Sequence, residues 1–251
     1  MIKSIIFDIS GVLNQDNRPI AGAVDAINNL HRSNIPMRFV TNSSRNTKSE
    51  IYASLSDMGF RIEKLQIYTA VTAIQQAIQT RKLRPYCLIH PNIASEFEHY
   101  EQQQANAVVI TDAAEQFDFE HLNTAFDLIM DGAPLLGIGR NRYFRAKDKL
   151  CLDAGPFIHA LEYAANREAE IIGKPAPAFF MLAVESLGCK PSEVVMIGDD
   201  IEADVIGAIN AGLQGCLVQT GKYQQGDENL TSSSRFQLAS SVVEAVSHYF
   251  N

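Results

Sequence analysis

The sequence predicts an α/β protein: a doubly wound parallel sheet, interrupted by a second and smaller α/β domain. Two observations carry this. Short apolar runs alternate with helical patterns along the 251 residues, the order expected of a parallel sheet covered on both faces. The stretch from Val71 to Ala169 then has strand and helix patterns enough for a core of its own.

Taken in order, "SIIF" (Ser4 to Phe7) reads as a buried strand that stops at Asp8, and Ala23 to Asn34 as a helix. "MRFV" (Met37 to Val40) is the next strand. The helix after it runs from Lys48 to Gly59, with Ile51, Leu55 and Met58 on one face and Gly59 as its stop. The middle supplies "YCLIH", "AVVI" and "PLLGI" as strands. Between the last two, Asp118 caps a helix whose expected buried stripe is Phe119, Leu122, Phe126 and Ile129. "DAGPFIHALEYAA" opens another helix. "AEII" reads as a strand that returns the chain to the first sheet, which "VVMI" (Val194 to Ile197) and "GCLV" (Gly215 to Val218) extend. Residues 1–70 and 170–251 are expected to form a discontinuous core domain, and residues 71–169 the inserted one.

Composition narrows the function. The chain is 46% apolar and 20% charged with a net charge of −8, ordinary for a soluble globular protein. Its densest basic patch, "TRKLR" (Thr80 to Arg84), is too short to track a phosphate backbone, so nucleic acid is not expected as a partner. No apolar stretch reaches membrane-spanning length, and the opening run is too short for a secretory leader. Cys87, Cys151, Cys189 and Cys216 form no CxxC pair and read as core residues of a reducing, cytoplasmic compartment. The six histidines show no paired ligand spacing, which disfavours zinc. "GIGRNRYF" lacks the third glycine and the context of a dinucleotide site.

In a parallel sheet, ligands bind beyond the carboxyl ends of the strands. Asp8 and Ser10 follow the first strand. Thr41, Asn42, Ser43 and Ser44 follow "MRFV". Gly173 and Lys174 follow "AEII", and Asp199, Asp200 and Asp204 follow "VVMIG". Each has a bland reading as a turn residue, helix cap or solvated lysine; the set together points to phosphoryl transfer. A carboxylate can attack phosphorus and hold the group covalently. Repulsion between carboxylate and phosphate calls for Mg²⁺, which takes hard oxygen ligands. Asp8 and Asp199 are expected to bind it directly, with Asp200 and Asp204 orienting its waters. Lys174 offsets the remaining charge, while the Thr41 hydroxyl and nearby backbone N–H groups hold phosphoryl oxygens.

The segments "FDISGVL", "FVTNSS", "GKPAP" and "IGDDIEAD" resemble, in order and spacing, the four motifs of the haloacid dehalogenase-like hydrolases. The insert resembles the C2-type cap of their subfamily IIA. The resemblance implies a Rossmann-like core, Asp8 as nucleophile, and Mg²⁺ held by Asp8, the Ser10 carbonyl and Asp199. It also implies that Thr41, Asn42, Ser43 and Lys174 contact the phosphate, and that the chain pairs as a homodimer.

Ser10 departs from that pattern, since most phosphatases of the family carry an aspartate there as general acid and base. A serine still offers its backbone carbonyl to a metal; what it lacks is the proton donor. General acid–base help is worth about 10²–10⁴-fold. Its loss costs least where the leaving group is already good. The expected substrates are therefore small phosphoramidates, pyrophosphate or activated esters. The resemblance implies the same ones, phosphorylated lysine or histidine and pyrophosphate. The competing readings are a phosphate-binding regulatory protein with decayed catalysis, a general phosphomonoesterase and a phospho-acceptor receiver. Retention of Asp8, Lys174 and "GDDIEAD" opposes the first, and chain length opposes the receiver.

Overall fold

The computed structural model describes residues 1–101, 103–146 and 149–250. In chain order the first elements are β1 (Ser4–Asp8), β2 (Asn14–Gln15), β3 (Arg18–Pro19), α1 (Ala23–Arg32), β4 (Met37–Thr41), α2 (Lys48–Asp57) and β5 (Ile67–Thr69). There follow α3 (Ala70–Arg81), β6 (Pro85–Leu88), β7 (Ala107–Ile110), α4 (Phe119–Met130), β8 (Leu135–Gly137), β9 (Tyr143–Ala146), β10 (Lys149–Leu152), α5 (Ala154–Ala165) and β11 (Glu170–Ile171). The last are α6 (Pro177–Leu187), β12 (Val194–Gly198), α7 (Gly207–Asn210), β13 (Gln214–Val218), β14 (Phe236–Ala239) and α8 (Val242–Tyr249). The chain divides into two compact units. One comprises Met1–Thr41, Lys48–Tyr68 and Lys174–Asn251, the other Asn42–Thr47 and Thr69–Gly173.

Among the described residues, six strands build the sheet of the first unit, in the order β14–β13–β12–β1–β4–β5. β1 pairs in parallel with β12 on one side and β4 on the other, and β13 and β14 continue the parallel run. The chain therefore winds outward from β1 in both directions. That reversal leaves a crevice beyond the strand ends next to β1, where open α/β sheets bind ligands. All five residues of β1 are buried, which is why Ile5, Ile6 and Phe7 form an unbroken apolar run up to Asp8. Ile5, Phe7, Phe39, Leu55 and Ile197 belong to one buried cluster, in which the Phe7 and Phe39 rings stack 5.8 Å apart. Each such side chain contributes about 1.5–3 kcal/mol by leaving water. Leu217 packs instead with Ile201, Val205 and Ile209, because alternate residues of β13 face opposite sides of the sheet.

The second unit has its own parallel sheet, ordered β11–β8–β7–β6, and an antiparallel hairpin of β9 and β10. Two of its helices, α4 and α5, start where the sequence leads one to expect. The Asp118 carboxylate accepts from the His121 N–H at 2.9 Å and caps α4, and Asp153 accepts from Ala154 N–H at 2.7 Å to begin α5.

Two expectations are corrected here. "AEII" does not rejoin the first sheet: Glu170 and Ile171 pair with Leu136 and Gly137 of β8, so β11 is an edge strand of the second one. Within α4, Ala125 and Ile129 are buried, but Phe119 is 85% exposed. As the first residue of the helix, it lies off the end of the face that is covered.

Candidate active site

The register of the central strands sets the site. Phe7 pairs with Ile197 and Asp8 with Val40, so Asp8, Thr41 and Asp199 all fall at the carboxyl edge of three neighbouring strands. Each is buried: Asp8 is 6% exposed, Thr41 4% and Asp199 3%.

After Asp199 the backbone makes a wide turn. The N–H groups of Asp204 and Val205 both donate to the Asp200 carbonyl, at 3.0 and 3.3 Å. The second of these is a five-residue span of the π-helical kind, which recurs at functional sites. It turns Asp204, five residues on, back into the same space. Carboxylate oxygens of Asp8, Asp199 and Asp204 lie within 4.8 Å of one another.

Lys174 enters this cluster from the segment between β11 and α6, so it does not stand at the end of a strand of this sheet. Its Nζ donates to Asp204 Oδ1 at 2.5 Å and also to Asp8 Oδ1, and only 4% of the residue is exposed. Burial by itself would lower the affinity of this amine for its proton. The charges of Asp204 and Asp8 outweigh that and hold the ammonium well above its usual range.

The acids show the converse. Burial, reinforced by Asp8 and Asp204, pushes Asp199 well above the usual carboxylate range. Burial also pushes Asp204 up to about 7, against the pull of Lys174. Three carboxylates face one buried ammonium, so acids outnumber the cation among these buried side chains. A hard divalent cation would balance them, and carboxylate oxygens are the donors such a cation takes. The donor set fits Mg²⁺.

The other expected residues are placed as follows. Asp200 is outside the three-acid cluster: its Oδ1 accepts from Glu202 and Ala203 N–H at 3.2 and 2.9 Å, and its Oδ2 pairs with Lys222 Nζ at 3.2 Å. Burial disfavours the Asp200 charge, yet Lys222 and those amides hold its carboxyl below the ordinary value. Ser10 is exposed, and its backbone bridges to Asn14 just after β1. Asn42 and Ser43 follow Thr41 directly but pack with the second unit. There the same loop is fixed by Ser44 Oγ, which accepts from Asp112 N–H at 3.2 Å, and by an Arg45–Asp112 ion pair.

Sequence reasoning assigned no role to Thr220 or Lys222. Lys222 donates its backbone N–H to Asp199 Oδ2 at 2.7 Å, and Thr220 Oγ1 donates to the Gly11 carbonyl at 2.5 Å. The segment "TGKY" is legible as letters, but a contact made through a backbone amide leaves no mark on residue type.

Residues 5–103 match the family described as haloacid dehalogenase-like hydrolase, and residues 171–245 the one described as HAD-hydrolase-like. Over 247 residues the chain is 39% identical to haloacid dehalogenase-like hydrolase domain-containing protein 2 of Bos taurus, covering 98% of this chain and 95% of that protein. It is 37% identical over 251 residues to phospholysine phosphohistidine inorganic pyrophosphate phosphatase of Homo sapiens, covering 98% and 93%. Its fold matches p-nitrophenyl phosphatase from Archaeoglobus fulgidus with a TM-score of 0.89 at 22% identity, covering 98% and 99%, a likeness of fold. With well over a third of its residues shared along almost its whole length, the chain belongs to the haloacid dehalogenase-like hydrolases and carries the inserted cap of that group.

Proposed function

We propose that the protein is a Mg²⁺-dependent phosphohydrolase acting through an aspartyl-phosphate intermediate, with residues 71–169 as its C2-type cap. Its preferred substrates are small molecules or side chains with a P–N bond, such as phospholysine or phosphohistidine, together with pyrophosphate and activated esters. The observation that carries this reading is the contact of Lys174 with both Asp8 and Asp204 in a pocket shared by Asp199.

Asp8 supplies the nucleophilic oxygen. Its lone pair forms the bond to phosphorus while the bond to the leaving nitrogen or oxygen breaks, and the leaving group takes its proton from solvent. Water then attacks the phosphorus, the bond to Asp8 breaks, and inorganic phosphate departs. Lys174 keeps the Asp8 carboxylate pointed into the pocket and offsets charge that grows on the phosphoryl oxygens. Thr41, Asn42 and Ser43 hold those oxygens. Asp8, Asp199 and the Ser10 carbonyl would hold the metal ion, with Asp204 beside them and Asp200 bracing the turn. Once bound, the ion would neutralise phosphoryl charge that three carboxylates otherwise repel.

The leaving-group preference rests on Ser10, which is exposed and has no proton to give at neutral pH. The human relative's name, which joins phospholysine, phosphohistidine and pyrophosphate, supports the same class. The test is phosphate release with Mg²⁺ from P–N, P–O–P, aryl-ester and sugar-phosphate substrates. Fastest turnover of the sugar phosphates would contradict the preference.

A further inference from the structure

Asp199 directly follows β12, the strand between β1 and β13 in the sheet, and the loops after both neighbours close over it. From β13, the Lys222 N–H donates to Asp199 Oδ2 at 2.7 Å. From β1 comes Gly11, whose carbonyl accepts from Thr220 Oγ1 at 2.5 Å. That bond joins the two loops across the end of the intervening strand. Both loops approach through glycine: Gly11 has φ +81° and Gly221 φ +61°, and a Cβ at either would collide with the Asp199 carboxylate. That Cβ would also press on the Cα of the other glycine. Positive φ and closest backbone approach are the two demands that only glycine meets without strain.

We propose that Thr220, Gly221 and the Lys222 amide form a positioning clamp for the cation site, a role that rests on the metal-dependent reading above. The Lys222 N–H fixes one carboxylate oxygen of Asp199, so the plane of the group cannot swing and its second oxygen is held at one place. The Thr220 hydroxyl fixes the carbonyl of Gly11, one peptide beyond the Ser10 carbonyl that is assigned to the metal, and so restrains the loop that carries it. The clamp thus orders two ligands from different strands before a cation arrives, and the binding energy is not spent on ordering them. The Thr220 hydroxyl bonds to Gly11 and not to the proposed nucleophile Asp8. It positions.

The experiment uses Mg²⁺ alone as the probe, read by the shift in thermal unfolding midpoint across a Mg²⁺ titration of the full chain without substrate. Thr220→Val keeps the shape and removes the hydroxyl; its Mg²⁺ dissociation constant is expected to rise roughly three- to tenfold, the equivalent of one lost hydrogen bond. Thr220→Ser, which keeps the hydroxyl, should stay within about twofold of wild type on the same scale. Turnover at saturating Mg²⁺ should hold in both, with the change confined to the Mg²⁺ needed. Gly221→Ala, which drives a methyl against Asp199, should weaken Mg²⁺ more than Thr220→Val does. Mg²⁺ affinity of Thr220→Val and Gly221→Ala equal to wild type would overturn the clamp and leave the metal-dependent reading standing. A wild-type protein whose midpoint ignores Mg²⁺ would overturn both.

Discussion

Lys174 Nζ lies 2.5 Å from Asp204 Oδ1, and the two residues are 4% and 1% exposed. The same ammonium reaches Asp8. One buried cation therefore ties the proposed nucleophile to the acid on the wide turn after β12, and several consequences of that tie can be measured.

Replacing Lys174 by Met removes the positive charge and leaves three buried carboxylates facing one another. Breaking a buried pair from one side costs about 3–5 kcal/mol. Part of that is recovered as the acids take up protons, so the metal-free variant should lose about 3 kcal/mol of unfolding free energy. Removing one group that stabilises developing charge costs about 10²–10³-fold in turnover, and kcat should fall by at least that. Urea unfolding and steady-state kinetics of the same preparation check both.

Asp204→Asn should behave in the opposite sense where metal is absent. In the folded protein Asp204 is pushed up to about 7 from an ordinary value of 3.8. Between those values the folded state holds a proton that the unfolded state has released, so this group's contribution to stability is lost as pH rises toward 7. In Mg²⁺-free buffer, unfolding midpoints of the wild type should drop across that window. The Asn variant should show a flatter profile and equal or greater stability at pH 7. Adding Mg²⁺ should restore the wild type more than the variant.

Ser10→Asp tests the leaving-group argument. The position is exposed, so a carboxylate can be accommodated without a burial penalty. Supplying a proton donor should raise kcat/KM on alkyl phosphates by about 10²-fold, the lower end of general-acid assistance. On P–N and P–O–P substrates the gain should be much smaller. Equal gains on all classes, or none on alkyl esters, would remove the physical basis for the substrate class.

The parts legible in the sequence were those governed by local pattern. Ser4 to Phe7, Met37 to Val40, Val194 to Ile197 and Gly215 to Val218 read as strands because both faces of this sheet are largely buried and the runs are mostly apolar, with Arg38 a half-buried exception. Asp8 and Asp199 were legible because each directly follows such a run; Lys174 was legible only from the letters after "AEII", not from the strand they suggested. What escaped depends on partners far along the chain. β11 is two residues long, and nothing in Glu170 or Ile171 says that its partner is β8 rather than a strand of the larger sheet. β14 is a short edge strand with only Ala239 buried, too weak a pattern to separate from loop. Periodicity placed Phe119 on the same helix face as Ile129, but periodicity finds a face and not where its cover ends. Asp199 and Asp204 share a pocket because of one five-residue turn, a spacing that an ordinary helical reading does not predict.

The most direct measurement is to quench the enzyme during turnover with Mg²⁺ and a P–N substrate, digest it, and look for phosphate on the peptide containing Asp8. An acid-stable, hydroxylamine-labile acyl phosphate is expected on Asp8, absent from Asp8→Asn together with all turnover. Steady phosphate release by Asp8→Asn, or a phosphoryl group trapped on any other residue, would contradict it.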